Sequence, residues 1–425
     1  MTEKKTLDTE SYKGVRDFYP TDWARLSAIF GTIRETLALR GYEEYQASPL
    51  EHSELYESKG NEEIIREQTF SFEDRGGRRV TLRPEMTPTL ARMIAAKRRE
   101  LPFPQRWFSI GNRFRYERPQ KGRLREFFQT DVDLVGAPEG EADLEIIMLA
   151  SEIMKAFGAE EKDFFIRVNS RKLIRLASEA VGLEEGDISR AYWQLIDRKG
   201  KMTAAEFDTA RTAFPADPLR AIEEASDPRV AEEKARLLAF IETLKGRGIG
   251  NISFDTDIVR GFDYYTGMVF EVNDASPENP RALFGGGRYD GLVTLFGGDP
   301  IPAVGFAFGD VTLLEFLTAR NLLPENDTAP QVYVGTPSIE DIAVAQTFAR
   351  DLQDAGVRTF VNLLDKDLGA QVKDAVRRGI PYFLAYGKDE EKSNMIRVKN
   401  LAKSEEESIE SNQVAKHLAK VLGIN

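Results

Sequence analysis

The run from Ile258 to Val272 sets Arg260 and two adjacent tyrosines, Tyr264 and Tyr265, in an apolar stretch punctuated by Gly261 and Gly267. An arginine in such surroundings is costly unless an anion meets it, and the glycines let a small ligand come close to the main chain. Arg260 therefore reads in two ways: as an anion-binding group, or as a structural arginine paired with a neighbouring Asp or Glu.

A second constellation lies upstream. Strand alternation puts Arg113, Arg115 and Glu117 on one face, with Phe114 and Tyr116 on the other. In the next segment Phe127, Gln129, Asp131 and Asp133 share a face, while Phe128, Thr130, Val132 and Leu134 form an apolar one. The basic loop from Arg118 to Arg125, with its turn glycine Gly122, makes the pair a hairpin. An antiparallel sheet with one wet face accounts for much of this pattern. A large aromatic beside both signs of charge on the polar face suits a pocket for an anionic ligand with a flat ring better. The segment Thr81–Thr87 adds Arg83 and Glu85 in the same alternation, with Pro84 ending the strand. The triple glycine at 285–287 is either a plain turn or a strand that something must approach closely; it has neither P-loop lysine nor dinucleotide-binding spacing. The stretch from Asp197 to Glu206 is no calcium loop, because lysines stand where carboxylates are required.

These residues need elements to hold them. Helical spacing of Trp23, Leu26, Ile29, Phe30, Ile33 and Leu37 predicts a helix over Asp22–Leu39, and strands are expected near 78–83, 106–117 and 126–136, then a helix near 142–157. From Lys172 to Lys245 charged helical segments dominate, so a helical insertion is expected before strands resume at Ile252. Beyond the proline- and asparagine-bearing stretch 320–330, strands and helices alternate as in a small α/β domain, and Ser404–Ser411 reads as an acidic surface turn. The expected organisation is a core of 1–171 and 246–320, an insertion of 172–245, a linker of 321–330 and an α/β domain of 331–425. A chain of 425 residues is long enough for two or three such cores.

Composition narrows the chemistry. The chain has no cysteine and only His52 and His417, so disulfides, thiolate ligands, a cysteine nucleophile and a histidine-rich metal site are ruled out, and no protein-held metal is expected. The net charge of −12 argues against nonspecific coating of nucleic acid, yet leaves room for an RNA substrate engaged by local basic patches. Without an uninterrupted apolar run of about 18 residues, a soluble cytoplasmic protein with no membrane partner is expected.

Taken in order, these segments resemble the class II aminoacyl-tRNA synthetases, and within them the histidyl-tRNA synthetase family, over Gly14 to about Leu422. The run from Phe114 to Phe127 resembles the class's motif 2; the Arg-Gly-Phe-Asp-Tyr-Tyr run at 260–265 and Gly285–Leu292 resemble the two histidine-specific signatures. The resemblance implies an α+β fold: a six-stranded antiparallel catalytic sheet flanked by helices, a helical insertion and a C-terminal α/β anticodon-binding domain, in a homodimer. It implies that Arg115 binds the α-phosphate of ATP, Glu117 the adenine amino group, Arg123 the outer phosphates, and that Phe127 stacks on adenine. It places Glu85, Thr87 and Gln129 at the amino group of L-histidine and Asp133 with Tyr265 at the imidazole, with Tyr264 also among the histidine-binding residues. Arg260, with Arg115 the catalytic pair, would neutralise charge between the attacking carboxylate and the α-phosphate. ATP with Mg2+ and tRNA(His) are the implied substrates.

One departure stands out. Where motif 3 of the family carries an arginine that reaches the γ-phosphate, Gly309–Leu313 has Thr312. Losing one charge-assisted contact costs about 1.5–3 kcal/mol, which weakens ATP binding and need not abolish activity. Asp310 reads as a helix N-cap. The alternative function is an inactive, histidine-sensing regulatory subunit of ATP phosphoribosyltransferase, a relative that usually lacks the anticodon-binding domain and degrades the signature kept here.

Overall fold

Two compact units divide the chain, Met1–Glu325 and Asn326–Asn425. The computed structural model describes residues 7–57, 68–117, 122–183, 186–199, 202–259, 264–279, 282–324 and 328–424; Arg260, half of the 118–125 loop and part of the 321–330 stretch lie outside them.

The first unit is built on an eight-stranded sheet, ordered Glu43–Glu44, Gln105–Phe114, Glu126–Val135, Ala303–Gly309, Ala282–Arg288, Met268–Asp274, Phe164–Ser170, Ile252–Phe254. The six central strands pair antiparallel throughout, as the resemblance implied, and a short parallel strand is added at each edge. Alternation along Glu126–Val135 works as expected. Val132 and Leu134 are buried against Leu26, Ile29, Ile33 and Leu37 of the helix Pro20–Leu39 and against Ile146 and Ile147 of the helix Glu141–Ala156. Each such side chain contributes about 1.5–3 kcal/mol, so this layer holds the opposite, polar face rigidly in place. Pro20, at the first turn of its helix, is pre-set for that position.

The segment around Glu85 departs from expectation. Arg79–Leu82 does not extend the hairpin's polar face; it is the middle strand of a separate three-stranded sheet between Leu50–His52 and Phe70–Glu73, followed by the helix Thr87–Lys97. The reason is Pro84, which cannot donate to a ladder, so strand gives way to helix there. The link is still tied to the hairpin, since the Phe114 amide donates to Arg83 O at 3.0 Å.

Among the described residues, five helices fill the region between the strands Phe164–Ser170 and Ile252–Phe254, from Arg171–Ala180 to Pro228–Gly246. Ser170, Thr203, Asp217 and Asp227 cap four of them, satisfying amides that would otherwise go unpaired. Their apolar faces, Leu173, Ile222 and Leu244 included, join the same core as the sheet.

The second unit carries a five-stranded sheet ordered Thr359–Val361, Val332–Gly335, Tyr382–Ala385, Met395–Asn400, Glu405–Glu410, the first three parallel and the last two antiparallel. The helices Ile342–Asp354 and Ser411–Val421 share its core through Ala345, Phe348, Leu352, Val414 and Leu418. The acidic run read as a turn is the edge strand Glu405–Glu410. Ladder pairing with Met395–Asn400 outweighs the poor strand propensity of glutamate, and the charges blunt an exposed edge.

Candidate active site

A cavity of about 340 Å³ opens on the polar face of the large sheet. Its floor is made where three neighbouring strands run in register, Gly305 lying opposite Asp133 and Gly285 opposite Ala307. Glycine is required at 305, because a Cβ there would stand 2.3 Å from Asp133 Oδ1. Ten of the eleven residues to which the resemblance gives a binding or catalytic role line this one cavity: Glu85, Thr87, Arg115, Glu117, Arg123, Phe127, Gln129, Asp133, Tyr264 and Tyr265. The eleventh, Arg260, lies outside the described residues.

One end suits a nucleotide. The Arg115 guanidinium lies 5.4 Å from the centre of the Phe127 ring, its Nε donating to Pro84 O at 3.0 Å. Burial holds its pKa below the ordinary arginine value, with the charges of Glu85 and Glu117 opposing. Glu117 accepts from Arg123 Nη1 at 3.1 Å, so the hairpin's loop is latched to its own strand end. Arg113, assigned to the same face as Arg115, is instead fully buried beneath the floor, because the strand ends at Phe114 and its alternation stops there.

The helix Asp310–Ala319 begins beside this end, with Gly309, Val311 and Thr312 in the lining. Gly309, not Asp310, occupies the cap position. Asp310 is the first helical residue, and its buried carboxylate accepts from Arg16 Nη2 at 2.6 Å and from the Phe128 amide at 3.0 Å. Its tertiary partners outcompete its own helix. Thr312 spends its hydroxyl on Leu283 O at 3.0 Å.

The other end is a pocket of buried acids and tyrosines. Glu85, 3% exposed, accepts from Tyr264 Oη at 2.8 Å and is pushed up to about 7 by burial. Asp133, also 3% exposed, is pushed up to about 8 by burial, with the neighbouring Asp131 charge adding to the effect. Tyr289 donates to Asp133 Oδ1, while Oδ2 is buried without a hydrogen-bond partner among the described residues. The Tyr264 ring meets Tyr265 and Tyr289 edge-on, with centres 5.2 and 5.8 Å away. Leaving a carboxylate oxygen buried and unpaired costs about 1–3 kcal/mol, which a ligand N–H here would relieve.

Sequence reasoning missed Tyr289 and the use of Asp131. Tyr289 stood in the glycine-rich run already singled out, but its partnership with Asp133 depends on strand order. Asp131 was placed on the polar face without a task. It is paired with the buried Arg113 and accepts from Gln129 Nε2 at 2.7 Å.

Comparison with known proteins gives these features a common origin. The family model described as histidyl-tRNA synthetase matches residues 14–311, and the one described as anticodon binding domain matches residues 331–421. A histidine–tRNA ligase of Leptospira biflexa is 39% identical over 419 residues, covering 95% of each chain. One of Opitutus terrae is 40% identical over 427 residues, covering 95% of this chain and 97% of the relative. In fold, the crystal structure of histidyl-tRNA synthetase from Nostoc sp. PCC 7120 superposes with a TM-score of 0.76 at 23% identity, covering 98% of this chain and all of that one. The match to relatives reaches past the first unit into the C-terminal one. The chain belongs to the histidyl-tRNA synthetase family, the aminoacyl-tRNA ligases that join histidine to its tRNA.

Proposed function

We propose that L-histidine occupies the acid-and-tyrosine end of the cavity and ATP the Phe127 end. The observation that carries this reading is the unpaired Asp133 Oδ2 at the back of a cavity whose far end holds an arginine over an aromatic ring. A carboxylate facing an imidazole N–H fixes the tautomer and orientation of the ring. Glu85, Thr87 and Gln129 then meet the ammonium group, and Tyr264 and Tyr265 wall the side chain.

ATP lies with its adenine on Phe127, its amino group donating to Glu117, and its α-phosphate on Arg115, with Arg123 towards the outer phosphates. Mg2+ comes as part of the ATP complex, bound by phosphate oxygens and neutralising their charge. The histidine carboxylate attacks the α-phosphorus in line; its oxygen forms the new P–O bond as pyrophosphate leaves, giving histidyl-adenylate. Arg115, with Arg260, balances the charge that gathers between the two anions, so catalysis is positioning and electrostatics. A ribose hydroxyl at the 3′ end of tRNA(His) then takes the acyl group and AMP departs.

The proposal includes a division of labour along the chain: 1–171 and 246–320 for this chemistry, 172–245 as insertion, 321–330 as linker and 331–425 for the anticodon. It also includes a cytoplasmic homodimer. No helix among the described residues is long and apolar enough to cross a membrane. The test is histidine-dependent exchange of labelled pyrophosphate into ATP by the intact protein and by Arg260→Ala. Exchange with histidine alone, lost in the variant, is expected. Histidine binding without exchange would overturn the catalytic reading.

A further inference from the structure

A buried charge pair spans the floor of the amino-acid end: Asp131 lines the cavity and Arg113 lies beneath it. Arg113 is 0% exposed, and its Nη2 donates to Asp131 Oδ2 while Nη1 donates to Asn112 O at 3.0 Å. The other Asp131 oxygen, Oδ1, accepts from Gln129 Nε2 at 2.7 Å. A buried pair of this kind gains little net stability over apolar side chains of the same volume, so its presence is better explained by what it orients. An ionised carboxylate offers acceptors only. Gln129, whose side chain lines the cavity, must therefore turn its NH2 toward Asp131, and the amide atom left for a ligand is the acceptor Oε1.

We infer that Arg113 and Asp131 are positioning residues for recognition of the substrate's amino group: the buried pair locks the Gln129 amide with Oε1 toward the cavity, where it accepts from the ammonium beside Glu85. This rests on the reading of the cavity as the histidine site. Arg113 occupies one Asp131 oxygen, and the other decides which way Gln129 faces. If Asp131 is replaced by an amide, its oxygen stays on Arg113 and its NH2 turns toward Gln129. Gln129 must then flip and present NH2 to an incoming ammonium, donor against donor.

The experiment is calorimetric titration of the full chain with two ligands: L-histidine, and 3-(imidazol-4-yl)propionate, which keeps the ring and carboxylate but has no amino group. In Asp131→Asn the Kd for histidine is expected to rise about ten- to a hundredfold, the value of one charge-assisted hydrogen bond, while that for the propionate changes less than about threefold. Adding Gln129→Glu to Asp131→Asn puts an acceptor oxygen back and is expected to restore most of the histidine affinity. The apolar replacement Arg113→Met/Asp131→Leu leaves no buried ion unpaired, so it tests the same point if Asp131→Asn does not fold; it too must lose histidine selectively. Equal losses for both ligands, or none for either, overturn the inference and reduce the pair to a structural role. A wild-type chain that binds neither ligand overturns instead the reading of the cavity on which it rests.

Discussion

The two ends of the cavity solve recognition by opposite means. At the Asp133 end each acid is buried and already held by a neighbour: Tyr289 on Asp133, Tyr264 on Glu85, Arg113 on Asp131. At the Phe127 end the ion pair of Arg123 with Glu117 has an arginine that is 51% exposed and sits in a hairpin loop. Histidine is small, so selecting it requires that a wrong ligand leave buried polar groups unpaired, a penalty that a rigid, dry pocket can impose and a wet one cannot. ATP brings a large ring and several charges, which a stacking surface with a few cations would bind while still letting products leave. The difference teaches where each variant's damage ought to appear.

Arg115, over Phe127 yet within reach of the Glu85 charge, is the residue whose loss is expected to be the most severe. Arg115→Ala removes charge stabilisation from the attack itself, so kcat for pyrophosphate exchange should fall about 10²–10³-fold while histidine affinity moves less than about threefold. A change confined to the KM for ATP would move Arg115 from catalysis to ground-state binding and blur the comparison.

Asp133→Asn should strike the histidine end alone, raising the Kd for histidine about ten- to a hundredfold with the KM for ATP nearly constant. It should also stabilise the free protein. Asp133 sits at about 8 when folded, against an ordinary 3.8, so the native state holds its proton more tightly than the unfolded chain does. Wild-type stability from this group is full below about pH 4 and is lost as pH rises toward and through 8. The variant has no proton to lose. Its melting temperature relative to wild type should therefore climb from pH 6 to pH 9, by the equivalent of about 1 kcal/mol or more at the upper limit. A gap that does not widen with pH would mean that Asp133 is comfortably ionised in the fold and that the pocket is not as dry as its burial implies.

Phe127→Ala is the matching test of the open end. Base stacking on an aromatic is worth about 1–3 kcal/mol, so the KM for ATP should rise about tenfold with histidine affinity unchanged. Loss of histidine binding in this variant would show the ends to be coupled rather than separate.

How much of this was legible in the sequence follows the range of the interactions. The helix Pro20–Leu39 and the faces of Glu126–Val135 were visible because period and alternation are local, and the residues that line the cavity came from the same alternation joined to a family resemblance. Glu85 was found but misplaced: Pro84 hides a change of sheet that no local pattern announces. Tyr289 on Asp133 and Gly305 beneath it were not visible, since their meeting depends on the order of strands distant in sequence. The edge strand Glu405–Glu410 was lost for a related reason, its strand character coming from its partner and not from its glutamates.

The smallest expected effect concerns the departure in motif 3. A side chain standing in for the missing arginine would need a donor free to meet a phosphate. The Thr312 hydroxyl has one proton, and it is directed at main-chain carbonyl oxygens, Leu283 O at 3.0 Å and Gly309 O at 3.3 Å. Thr312→Val keeps the shape and removes that proton. The lost hydrogen bond should lower stability by about 0.5–1.5 kcal/mol, visible as a small drop in melting temperature. The KM for ATP should change less than about threefold, because nothing the nucleotide touches has been taken away. A tenfold rise would mean that the hydroxyl leaves Leu283 when ATP arrives. That would add a pre-formed donor to the open end and weaken the contrast between it and the histidine pocket.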